Sequence, residues 1–178
     1  PAQQASLLNV LSMACAFLGQ PEDAEAHLAA ALAVARDHGL SQMLGALHQN
    51  RAKNLERTER FAEALSAARA SLEAYAEAGD SLRHANAGVL VAALTSDFGG
   101  HDEAETILLD SLSVLERQGA SRFLVIAQAT LASLYHDWQP PYGAVLALKL
   151  SRSALAHARQ LDPAPSITAF ALASLARS

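Results

Sequence analysis

Three side chains in the stretch HQNRAKNLER could do chemistry together. Asn50, Lys53 and Arg57 are spaced i, i+3, i+7, which places them on one face of a helix. Two cations and an amide on one face suit a carboxylate, because hydrogen bonds from lysine and guanidinium groups to an anion are charge-assisted. The competing reading is a solvated helix face on which Glu56 pairs with a neighbouring base.

Motifs for catalysis are missing. The chain has no Gly-rich phosphate loop, no HExxH and no GxSxG elbow. The DFGG at 97–100 lies at a helix end with no catalytic loop before it. The seven histidines (His27, His38, His48, His84, His101, His136, His157) are scattered over different elements, whereas a zinc site needs convergent ligands. The acidic runs PEDAE and HDEAE read as helix N-termini, where carboxylates complement the dipole. We therefore expect no enzyme activity, no metal and no cofactor.

The net charge of −5 argues against direct nucleic-acid binding by the segment as a whole. No run reaches the roughly 18–20 apolar residues of a membrane helix. Cys15 is the sole cysteine, so no internal disulfide forms, which fits a reducing compartment and a cytoplasmic location. The chain begins with Pro1, as expected of a fragment of a larger protein.

The elements that carry these residues repeat. Ala24, Ala64 and Ala104 stand forty residues apart, as do Leu32, Leu72 and Leu112, then Gly39, Gly79 and Gly119, then Ser41, Ser81 and Ser121. A glycine closes a helix by adopting left-handed φ. The serine two positions on is expected to cap the next helix, with Asp80 sharing that task in the second connection. The unit is helix, short turn, helix, short turn. Such a hairpin cannot bury its apolar face alone and must stack on its neighbours. The expected fold is all-α, a right-handed α-solenoid of stacked antiparallel hairpins with about nine helices.

The expected units are 1–40, 41–80, 81–120 and 121–162, followed by a partial fifth unit or capping helix over 163–178, all within a single repeat domain. In the fourth unit Pro140 and Pro141 interrupt the pattern. Matching ALAHAR at 154–159 to ALAVAR at 31–36 implies a three-residue insertion, so that Ala147 takes the alanine position. In the last helix, Phe170 and Leu172 are expected to leave an apolar patch, used for self-association of the isolated chain or covered by further sequence in the parent protein.

These residues resemble tetratricopeptide repeats (TPRs). The small residue at which the two helices of a hairpin cross falls at Ser12, Ala52, Ala92 and Ala132. The turn glycine is present as Gly19 and Gly99, with Glu59 in its place in the second unit. The period of forty exceeds the family's usual 34 and resembles the long repeats of bacterial transcriptional regulators. The resemblance implies that the first helix of each unit lines a concave groove. It adds Asn9, Gln49 and Asn86 to Asn50, Lys53 and Arg57 as groove residues. The set is similar to the carboxylate clamp of chaperone-binding TPR proteins, except that Asn9 stands where that clamp has a lysine. The resemblance further implies a non-catalytic scaffold that binds a protein or peptide, here an acidic one. The alternatives are a ligand-sensing domain or the regulatory segment of an enzyme.

Overall fold

A computed structural model describes residues 1–119, 122–138, 142–161, 168 and 171–173. Eight helices are defined: α1 (Ala2–Phe17), α2 (Pro21–Asp37), α3 (Ser41–Arg57), α4 (Phe61–Glu77), α5 (Ser81–Asp97), α6 (His101–Arg117), α7 (Arg122–Trp138) and α8 (Tyr142–Gln160). No strand occurs among the described residues. Thr168 and Ala171 to Ala173 are also helical, while Ser121, Pro140, Pro141 and Phe170 lie outside the described residues.

The chain folds as two compact units, Pro1–Ala87 and Gly88–Ser178. In the first, α1 pairs with α2 and α3 with α4, and α2 lies against α3. The core between α2 and α3 is Leu28, Ala31, Leu32, Ala35 and Leu47, closed at its edges by Leu8, Leu40, Met43 and Leu44. In the second unit α7 pairs with α8, and α6 lies against α7. There Val125, Ala154, Leu155 and Ala158 pack with Ala171.

The repeat columns map onto burial. Ala24, Ala64, Ala104 and Ala147 are completely buried, and so is the crossing column Ser12, Ala52, Ala92 and Ala132. In α8 Leu155 is buried and Arg152 exposed, the pattern of a register shifted by three residues.

The turns explain the period. Left-handed φ occurs at Gly19, Gly39, Glu59, Gly79, Gly99 and Gly119, one residue in every twenty. After five of these residues the next N–H reaches back to a helix carbonyl five positions earlier: Gln20 to Cys15, Leu40 to Ala35, Arg60 to Leu55, Asp80 to Tyr75 and Gly100 to Thr95. This is the Schellman closure of a helix C-terminus.

The serine caps are corrected at Ser41 and Ser81, the first residues of α3 and α5. Ser41 is the first residue of α3, with Leu40 at the N-cap and no side-chain cap bond. Its hydroxyl therefore sits one position too late to receive the first free N–H groups. Asp80 alone caps the helix that follows it: the Arg83 N–H donates to Asp80 Oδ1 at 3.0 Å, and Gln42 Nε2 donates to Oδ2 at 2.9 Å. Burial works against the charge of Asp80, but these bonds outweigh it and hold the carboxyl below its ordinary range.

Glu59 holds φ +59° where the equivalent turns use glycine. A side chain in this conformation is strained by about 1–2 kcal/mol, while glycine loses somewhat more backbone entropy on folding. Glu59→Gly is expected to raise the unfolding free energy by about 1 kcal/mol. Urea unfolding monitored by circular dichroism checks this, and an unchanged or lower midpoint would refute the strain.

Candidate functional site

α1 and α3 meet along a shallow cavity of about 310 Å³. From α1 it takes Met13, Ala16 and Phe17, and from α3 it takes Asn50, Lys53 and Arg57. Ser12 and Asn54 also line it and are themselves buried. Phe17 is 88% exposed, an unusual condition for a phenylalanine in a helix.

Two contacts tie the α3 face to α1. Arg57 Nη2 donates to the backbone oxygen of Ala16 at 2.7 Å. A guanidinium there satisfies a terminal carbonyl and complements the negative end of the helix dipole. Asn50 Nδ2 donates to Asn9 Oδ1 at 2.8 Å. Lys53 is exposed and makes no ion pair among the described residues, so its ammonium is available to an incoming anion.

Asn9 also lines a second cavity of about 200 Å³, shared with Ser6, Gln42, Met43 and Arg83. The Asn9–Asn50 bond thus joins the linings of two adjacent hollows. Of the residues expected in the groove, Asn9, Asn50, Lys53 and Arg57 come together. Gln49 and Asn86 are half-buried and line neither cavity. Gln42 and Arg83 were missed by sequence reasoning. The i+41 offset from Gln42 to Arg83 matches no repeat column, so the forty-residue period gave no signal for them.

The position of Arg57 in α3 is occupied by Asp97 in α5 and Asp137 in α7. Burial, then the charge of Asp137, pushes the Asp97 carboxyl above its ordinary value. Cationic character on this helix face is therefore a property of the first unit.

Other polar side chains in the second unit form structural pairs. Tyr135 hydroxyl donates to Glu105 between α7 and α6. Gln128 bridges Ser153 and His157 of α8 at 3.1 and 3.0 Å. Ser96 Oγ lies 3.1 Å from His101 Nδ1, with the imidazole against Trp138. No carboxylate orients this histidine among the described residues, so the Ser–His contact lacks the third member of a nucleophilic triad. No three His, Cys, Asp or Glu side chains converge on a metal position among the described residues. No described helix is long and apolar enough to cross a membrane.

Antiparallel helix pairs, a left-handed closure every twenty residues and small residues at the crossings define a tetratricopeptide-like helical repeat. Neither a family model nor a curated protein matches the chain. Solved structures do. The chain is similar to RapI in its apo form, with a TM-score of 0.81 and 18% identity over 97% of this chain and 46% of RapI. It is also similar to a Signal Transduction ATPase with Numerous Domains (STAND) protein with a tetratricopeptide repeat sensor, PH0952 of Pyrococcus horikoshii. That match has a TM-score of 0.74 and 18% identity over 96% of this chain and 26% of that one. The chain thus spans less than half the length of either neighbour, and the likeness is one of fold.

Proposed function

We propose that the chain is a non-catalytic module that binds a protein or peptide through the α1–α3 cavity, as a segment of a bacterial, cytoplasmic regulator. The observation that carries this reading is the composition of the cavity. Exposed Met13 and Phe17 form an apolar wall, and Lys53 and Arg57 supply positive charge on the other side. A segment with an apolar side chain next to an acidic one would satisfy both. Phenylalanine gives a large contact area with only two side-chain torsions to fix, and Asn50 offers an amide for backbone or side-chain hydrogen bonds. A sensing role in such a regulator is favoured by the STAND neighbour, whose repeat region is a sensor.

The test is an array of short peptides varying in acidic and apolar content, with hits measured by fluorescence anisotropy. The Lys53→Ala/Arg57→Ala variant is expected to weaken binding of acidic-apolar peptides at least tenfold, about 1.4 kcal/mol. Its melting temperature should fall only modestly, because Lys53 makes no ion pair among the described residues and Arg57 gives up a single exposed hydrogen bond to the Ala16 carbonyl, about 1 kcal/mol. Equal binding by the double variant, or preference for basic peptides, would overturn the reading.

A further inference from the structure

Arg83 brings a cation to the second hollow. Stacking of the repeat does not require it, because the same register carries Gln3 in α1, Met43 in α3 and Phe123 in α7. Nor does its guanidinium spend its donors within the protein. Nη1 stands 3.6 Å from Asp80 Oδ2, beyond hydrogen-bond length. Asp80 has its own bonds, from the Arg83 backbone N–H and from Gln42 Nε2. The half-exposed Arg83 side chain is thus held beside the hollow by charge, with its N–H donors unspent among the described residues. An exposed pair of this length contributes little to stability, so an incoming carboxylate can share the guanidinium with Asp80. The bond from Asn50 to Asn9 leaves two further groups unspent: Asn9 Nδ2 lacks an acceptor and Asn50 Oδ1 a donor among the described residues. Together they offer one donor and one acceptor, the complement of the C=O and N–H of a peptide unit. Asn50 lines the first hollow and Asn9 the second, so this pair stands where a chain would cross between them.

We propose that the bound segment is an extended, diacidic peptide lying along the seam of α1 and α3, with one acid held by Lys53 and Arg57 and a second held by Arg83. This rests on the peptide-binding reading of the first cavity. α3 sets the spacing of the two acids. Met43, in the Arg83 hollow, and Lys53, in the first, are ten residues apart, which is about 15 Å along the helix axis. Arg57 lies one further turn away. An extended chain advances about 3.3 Å per residue, so the two acids stand about five residues apart. The apolar residue that meets Met13 and Phe17 adjoins the first acid, and the backbone between the acids passes the Asn9–Asn50 pair.

Fluorescein-labelled peptides with blocked termini, measured by anisotropy on the 178-residue chain, test the spacing. Each carries a leucine–aspartate pair and a second aspartate three to eight residues away, on either side, in a glycine–serine background. Affinity is expected to peak at a spacing of about five and to exceed that of the single-acid peptide at least fivefold. Arg83→Gln should remove this gain, leave the single-acid peptide unaffected and keep the helical circular dichroism, because Asp80 retains its bonds from Gln42 and the backbone. Lys53→Ala/Arg57→Ala should instead weaken both kinds of peptide. A second aspartate that adds nothing at any spacing, or an Arg83→Gln variant that weakens single-acid and diacidic peptides alike, overturns this proposal and leaves the first cavity's reading standing. If no peptide of either kind binds, or the Lys53→Ala/Arg57→Ala variant binds as tightly as the native chain, the peptide-binding reading itself falls and the diacidic one falls with it.

Discussion

Gly45→Val is expected to destabilise the protein by about 3 kcal/mol. A Cβ at Gly45 would sit 2.7 Å from two ring carbons of Tyr75 and 2.8 Å from a third. Tyr75 is itself only 2% exposed and cannot swing into solvent. The crossing of α3 and α4 is fixed a turn away as well, because Ser71 Oγ donates to the Gly45 carbonyl at 2.8 Å. In an open helix, alanine would gain about 1 kcal/mol over glycine. Here the overlap outweighs that gain, and Gly45→Ala should still lose about 1–2 kcal/mol. Urea unfolding of Gly45→Ala, Tyr75→Leu and the double variant separates the causes. The double variant should be more stable than the two single losses added together, because removing the ring removes the collision. If Gly45→Ala raises stability, the two helices are not held this close.

The Gly45–Tyr75 pair also shows where sequence reading stops. The repeat was legible because it rests on positions that every unit must fill in the same way. Ala24, Ala64 and Ala104 are all completely buried, and the turn residues all adopt left-handed φ. The inner contacts of each hairpin obey a weaker rule, in which the two facing residues have only to fit one another. The positions equivalent to 45 and 75 read Ala5 with Ala35 in the first unit and Val125 with Ala158 in the last. Val125 and Ala158 do pack together. One hairpin fills this space with glycine and tyrosine, another with valine and alanine. Neither column looks like a repeat on its own, so Gly45 drew no notice.

Legibility of the site was divided in the same way. Helical spacing alone placed Asn50, Lys53 and Arg57 on one face, and they do line one cavity. What the spacing did not tell is how deep each adjacent position lies. Gln49 and Asn86 occupy groove register, yet both are half-buried beside the hollows and line neither. The tie from Arg57 to the Ala16 carbonyl was equally hidden, because a backbone acceptor leaves no trace in residue type.

Lowering the pH from 7 to 4 is expected to remove about 1–2 kcal/mol of stability through His48 alone. The ring lies in α3 with its Nδ1 buried and without a partner among the described residues. Burial first, then the charges of Arg36 on α2 and Arg51 on α3, lower its pKa from 6.5 to about 4. The unfolded chain therefore takes up this proton more readily than the folded one. Stability from neutral His48 is complete above about pH 6.5 and is lost as the pH falls through about 4. The full depression would correspond to a ceiling of about 3 kcal/mol, and partial exposure of the ring reduces that figure. Carboxylates act near the lower edge of this window with opposite signs, among them Glu63, which its hydrogen bond from Arg60 holds below its ordinary value. Asp80, held below its ordinary value, loses its contribution only at still lower pH. Asp97, held above its ordinary value, favours the folded state as it protonates. Subtracting a His48→Gln variant cancels all three. Glutamine is the residue that α7 places at this register, as Gln128. Urea unfolding at intervals from pH 7.5 to 4 should give the native chain a falling stability that the variant lacks over pH 6.5 to 4. Parallel curves for the two proteins would show that His48 is not the group that responds.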